Sequence, residues 1–140
     1  MELNYGAIAV ATIVQFVIGA VWYTPLFGKL WGKIHGFDCL TPEAQKAAQK
    51  QMMPLLLVQL GLTVVTSFVL DLLLAGIPSD WNAYGFAGFL WLGFVMPAQV
   101  SAVIFGGTEP KWVMKKIGIS VGASLLCYLS AAAVFVLMGR

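Results

Sequence analysis

The stretch Tyr5 to Tyr23, YGAIAVATIVQFVIGAVWY, decides the fold. It carries no charge and, at about 1.5 Å per helical residue, nearly matches a hydrocarbon core of about 30 Å. Buried β-strands run only about 4 to 8 residues and alternate in polarity, whereas this run is apolar throughout. In lipid its backbone groups must pair with one another, which demands a helix. A cleaved signal peptide is a poorer reading. The preceding Met1-Glu2-Leu3-Asn4 holds an acid and no lysine or arginine, and the apolar run is too long for a leader's core.

Three further runs of the same kind follow: about Met53 to Ala75, Tyr84 to Phe105 and Lys116 to Met138. The expected fold is therefore an all-α integral membrane protein, a single domain of four transmembrane helices (spans about 5–23, 53–75, 84–105 and 116–138). Composition agrees: the chain of 140 residues is 60% hydrophobic and only 10% charged, with a mean hydropathy of +0.88. A soluble chain of this size leaves about a third of its surface wet, and there is too little polar material here to coat it.

Charge orients the bundle. Lys29, Lys33, Lys46, Lys50, Lys111, Lys115 and Lys116 belong to the first and third connections, and the opposite side has Arg140 as its only base. Positive loops stay in the cytoplasm, so both termini are expected on the non-cytoplasmic side of a bacterial inner membrane. Trp22, Tyr23, Trp31 and Trp112 mark the basic interface, and Tyr5, Trp81 and Tyr84 the other. The net charge of +2 is spread over loops and forms no phosphate-tracking patch, which argues against nucleic acid as a partner.

In the first connection, Thr41-Pro42-Glu43 supplies an N-cap, an N1 proline and an acid suited to the positive end of a helix. A short amphipathic cytoplasmic helix is expected from Pro42, with Pro54 bending or breaking the path into the second span. Ahead of it lies Trp22-Tyr23-Thr24-Pro25-Leu26-Phe27-Gly28-Lys29-Leu30-Trp31. Trp22 and Tyr23 suit the interface, Pro25 ends the helix, and Phe27 and Trp31 hold an elbow against the headgroups while Lys29 and Lys33 face anionic lipid. A ligand-binding role for these aromatics is the lesser alternative.

That stretch, following an apolar span that begins Asn4-Tyr5, resembles the opening motif of the bacterial family called domain of unknown function 1761. Gly93-Phe94-Val95-Met96-Pro97, and Phe105-Gly106-Gly107 leading to Pro110-Lys111-Trp112, resemble its second signature region. The resemblance implies a small four-span membrane protein and brings no activity or catalytic residue with it. The echo of the Phe27 to Trp31 segment around Phe105 to Trp112 is better read as two similar interfaces than as an internal repeat.

Gln59, Thr63, Ser67 and Asp71 recur every four residues on the second span and form a polar ladder on one helix face. Asp71, about 9 Å outward of the helix centre, is still too deep to be freely hydrated, and at the centre itself an Asp costs about 2.5 to 3.5 kcal/mol. It calls for a partner, with Arg140, Tyr5 and Asn82 as candidates, or for a wet cavity. The ladder reads as hydrogen-bond glue between helices or as a proton or cation pathway joined by Gln15 and Gln99. Gly118 and Gly122 form a GxxxG that permits close helix packing, and Pro97 kinks the third span.

No catalytic signature or cofactor motif stands out. His35, Asp38 and Cys39 share one short loop without the fourth ligand of a tetrahedral metal site, so no metal is expected. Cys39 and Cys127 fall at different membrane depths and cannot be bridged. The leading expectation is a non-enzymatic bundle that self-associates (a homo-oligomer) or supports a partner membrane protein in the lipid bilayer. Transport through Asp71 is the alternative, and a lipid-interacting protein the third reading.

Overall fold

The computed structural model describes residues 2–139, and among them every regular element is helical. The order is α1 (Tyr5–Val21), a π-helical turn (Trp22–Leu26), α2 (Gly28–Ile34), α3 (Pro42–Ala75), α4 (Ala83–Leu90), a second π-helical turn (Trp91–Val95), α5 (Met96–Phe105) and α6 (Val113–Leu137). Short 3₁₀ turns occupy Phe37–Cys39 and Pro110–Trp112. Four stretches are long and apolar enough to cross a membrane: Tyr5–Leu26, Pro42–Ala75, Ala83–Phe105 and Pro110–Leu137. The fold is all-α with four spans.

Local chemistry sets the ends of these helices. Asn4 Oδ1 accepts from the Ala7 amide at 3.0 Å, Thr41 Oγ1 from Ala44 at 3.2 Å, and Asn82 Oδ1 from Tyr84 at 2.8 Å. Each closes an amide that the first helical turn leaves without a partner. Pro25 has no N–H to give to the preceding turn, so the first span widens: the Phe27 amide reaches back five residues to Trp22 O at 2.9 Å. α2 then follows as a short helix over the elbow segment, separate from the helix expected at Pro42. In the third span the same widening comes just before Pro97.

One expectation about the path is corrected. A helix does begin at Pro42, but it continues without a break through Pro54 to Ala75. Pro54 frees only the Lys50 carbonyl, which lies on an exposed stretch beside the other lysines, where water can satisfy it.

α6 packs against the first and third spans, and α3 packs against α1. The core lies toward the end that carries the termini and is built from Ala7, Ile8, Ala11, Leu70, Leu74, Ala87, Ala131, Ala132 and Phe135. The alanines let helix backbones approach closely, which matters because lipid offers apolar side chains no reason to leave it. Phe135, with no exposure, fills the space between them. Away from this end the packing thins, and residues 51–62 of α3 are exposed on every side.

Candidate functional site

The polar groups inside the bundle fall into two separate clusters. The first joins α1 to α3. Gln15 Nε2 donates to Ser67 Oγ at 2.8 Å and lies 3.2 Å from Ala11 O, while Thr12 Oγ1 lies 2.8 Å from Ile8 O and 3.1 Å from Ser67 Oγ. Thr12 has one proton, and its shorter contact is to the carbonyl. The Ser67 hydroxyl then donates to Thr12, and the chain of donors ends on the backbone. Thr12, Gln15, Thr63, Ser67 and Asp71 are all buried.

Asp71 closes the upper end of this face with no exposure. Its Oδ2 accepts from the Asn4 backbone amide at 3.1 Å. The carboxylate thus sits at the start of α1, where the helix presents its positive end. Asn4 does more than cap α1, since its Nδ2 also donates to Met138 O at 3.0 Å. One residue ties the ends of α1, α3 and α6 together. Of the partners expected for Asp71, Tyr5 is 72% exposed and Asn82 caps α4, while Arg140 lies outside the described residues.

Gln59, the lowest rung of the ladder, is exposed. Its amide nitrogen lies 3.5 Å from Thr63 Oγ1, a hydroxyl that itself donates to Gln59 O at 2.8 Å. Below the Gln15–Ser67 rung α1 and α3 part, and a Cβ placed on Gly19 would meet nothing within 4 Å.

The second cluster lies between the third and fourth spans. Ser124 Oγ accepts from Trp91 Nε1 at 2.8 Å and lies 2.7 Å from Gln99 Oε1. Gln99 therefore meets α6 at Ser124, which also takes the Trp91 indole of the π-helical turn, and the hydrogen bonds of the Asp71 face do not reach it. A shallow apolar groove of about 300 Å³ runs between α3 and the third span, walled by Val65, Val69, Leu73, Leu90, Phe94 and Tyr128.

At the elbow the aromatics turn inward on one another. Trp22 Nε1 donates to Ile119 O at 2.9 Å, and its ring lies over Gly122, where an added Cβ would come within 2.9 Å of Trp22 Cζ2. A Cβ placed on Gly118 would meet nothing within 4 Å, so of the two glycines in the GxxxG only Gly122 sits where an added methyl group would strike a neighbour. Phe27 packs on Trp22 and Trp31 on Tyr23, each with centroids 4.8 Å apart. Pro25 and Lys29 face outward. Among the described residues no three His, Cys, Asp or Glu side chains converge as metal ligands, and both cysteines are free thiols.

The fourfold spacing places Thr63, Ser67 and Asp71 on one face, whereas Asn4, the partner of Asp71, is absent from the sequence-based expectation. The signal was present, because an asparagine directly before an apolar span is an N-cap. The pairing of Trp22 with Gly122 has no such local signal.

Four apolar helices, an alanine-lined core and internally paired polar groups define a multi-pass helical bundle of the membrane. The chain belongs to the family described as protein of unknown function (DUF1761), whose model matches residues 6–136. Neither a curated protein nor a solved structure matches it.

Proposed function

We propose that the chain is a non-catalytic membrane scaffold that associates with a second copy of itself through the part of α3 nearest the lysines. The observation that carries this reading is Gln59, a carboxamide exposed at membrane depth on a stretch, residues 51–62, that no other helix covers. Leu55, Leu56, Leu57, Val58, Leu60 and Leu62 surround it with exposed apolar surface. A primary amide facing hydrocarbon without full hydrogen bonding is unfavourable, and a second Gln59 offers both the donor and the acceptor it needs. With the termini outside, as the lysine bias implies, this contact would form in the cytoplasmic leaflet.

The buried groups support a structural part for the rest of the ladder. Asp71 is enclosed and engaged by Asn4, and the hydroxyls of Thr12 and Ser67 have committed partners. A proton route needs groups that can exchange partners with water. Equal proton flux in liposomes holding wild type or Asp71→Asn would remove Asp71 from any transport mechanism.

Self-association is tested with the full chain in liposomes. Cys39 and Cys127 are replaced by serine, and single cysteines are placed at Leu55, Gln59, Leu62 or, as a control, the lipid-exposed Phe94. Oxidation should give cross-linked dimers at the first three positions and far less at Phe94. Gln59→Leu should lower the dimer population about threefold, the worth of one average interhelical polar contact of about 0.6 kcal/mol. Monomers throughout, or equal cross-linking at Phe94, would overturn the reading.

A further inference from the structure

The two lysine-rich connections are far apart in sequence yet wall a single cleft of about 510 Å³ at one end of the bundle. Lys33 and His35 contribute one side, and Thr108, Lys111 and Lys116 the other. Three features of this cleft are unusual together. The first concerns α6, a helix of 25 residues whose N-terminus has no side-chain cap and no acid in its first turn. That turn carries Lys115 and Lys116 instead. Cations at a positive helix end are opposed by the backbone dipole, so the charge gathered there calls for an anion.

The second feature is Thr108, whose Oγ1 is shut off from solvent without any hydrogen-bond partner among the described residues. It stands in the wall of the cleft as an unused donor, just after Gly107, whose φ of 74° turns the loop back toward α6. Third, the ammonium groups are held against aromatic faces. Lys116 Nζ lies 5.8 Å from the Trp31 ring, and Lys111 and Lys115 lie 5.4 and 5.1 Å from the Trp112 ring. Such contacts limit where the charges can go without neutralising them. The acids nearby are Glu109, paired with Lys111 at 3.4 Å, and Asp38. Lys33 and Lys116 line the cleft with no carboxylate in salt-bridge range among the described residues.

We propose that this cleft binds a phosphate group, with Lys33 and Lys116 as its charged ligands and Thr108 as a neutral donor. A phosphate carries several acceptor oxygens, which suits donors arriving from two loops. The cleft lies at the level where Trp31 and Trp112 mark the membrane interface, so an anionic lipid headgroup and a free phosphate are the two sources that fit. Lys29 and the outward side of the elbow lie outside the site. The proposal does not depend on self-association through α3.

The test uses full-length protein in phosphatidylcholine nanodiscs, with either phosphatidylglycerol or inorganic phosphate added. Bound lipid is counted by native mass spectrometry, and thermal stability is followed in parallel. Lys33→Gln with Lys116→Gln should weaken phosphatidylglycerol retention about thirtyfold, on a scale of about 1 kcal/mol per lysine at an anionic surface. Lys46→Gln with Lys50→Gln makes the same charge change on the exposed first turns of α3 and should leave retention as in wild type. Thr108→Val guards against misfolding as the cause. It should be at least as stable as wild type without the anion and should gain less stability when the anion is added. Stabilisation by millimolar inorganic phosphate would identify a free-anion site, and stabilisation by phosphatidylglycerol alone a headgroup site. Equal losses in the two lysine pairs, or no response to either anion, would overturn the proposal.

Discussion

At the end of the bundle that carries the termini, Asn4, Asp71 and Phe135 hold α1, α3 and α6 together, and the last two have no exposure at all. At the lysine-rich end α3 stands clear of its neighbours from residue 51 to residue 62, and only α1 and the third span keep their hold on α6. The same helix is therefore a core element over one half and a free surface over the other. In lipid, apolar side chains gain little by leaving the solvent, so a helix stays packed only where small residues allow close approach or polar groups need partners. α3 meets both conditions above Thr63, through Ser67, Asp71 and the alanines facing it. Below Thr63 no facing helix supplies a polar partner or a small-residue seam, and α3 parts from α1. The difference teaches that this bundle is held by a few polar pins and an alanine seam, with general hydrophobicity contributing little.

The strongest test of that contrast is to pull one pin. Asp71→Ala leaves the Asn4 amide without its acceptor and opens a void in a sealed region, and it should cost about 3 kcal/mol in reversible unfolding from mixed micelles. Asp71→Asn keeps an acceptor oxygen in place and should lose less than half as much. Unfolding of Asp71→Ala at the wild-type midpoint would mean that the two ends do not differ in this way. A second comparison uses two phenylalanines. Phe135→Ala empties a packed site and should cost about 2 kcal/mol, chiefly in lost dispersion contacts, since lipid removes much of the transfer term. Phe94 is 72% exposed, so Phe94→Ala should stay within about 0.5 kcal/mol of wild type in the same measurement.

The parts of this architecture that were legible in the sequence depend on one dimension only. Apolar length gave the four spans, Thr41-Pro42 gave the start of α3, and fourfold spacing put Thr63, Ser67 and Asp71 on one face. What could not be read depends on which helix stands opposite. Ser67 meets Thr12 and Gln15 because α1 lies there, and Gln99 meets Ser124 because α5 packs against α6. The unbroken passage through Pro54 was hidden for a related reason. A proline signals a lost hydrogen bond, but whether the helix breaks depends on what surrounds the freed carbonyl. The cleft joins loops about seventy residues apart, and no local pattern encodes that meeting.

The smallest effect separates two glycines that the sequence presents as equals. Gly122→Ala places a methyl group against the Trp22 ring, whose bond to Ile119 O fixes it to α6. A rigid ring moves only as a whole, so the added carbon should cost about 1 kcal/mol. It should also shift tryptophan emission to the red as the indole loses its enclosed position. Gly118→Ala adds a methyl to open space and should be neutral or slightly stabilising, because alanine is the better helix former. Combining Gly122→Ala with Trp22→Ala sharpens the assignment. If the ring is what the methyl strikes, the double variant should be no less stable than Trp22→Ala alone, because the obstacle has gone. Additive losses would place the cost of the Gly122 methyl elsewhere in α6, and the first and fourth spans would then owe their contact to the alanine seam without help from Trp22.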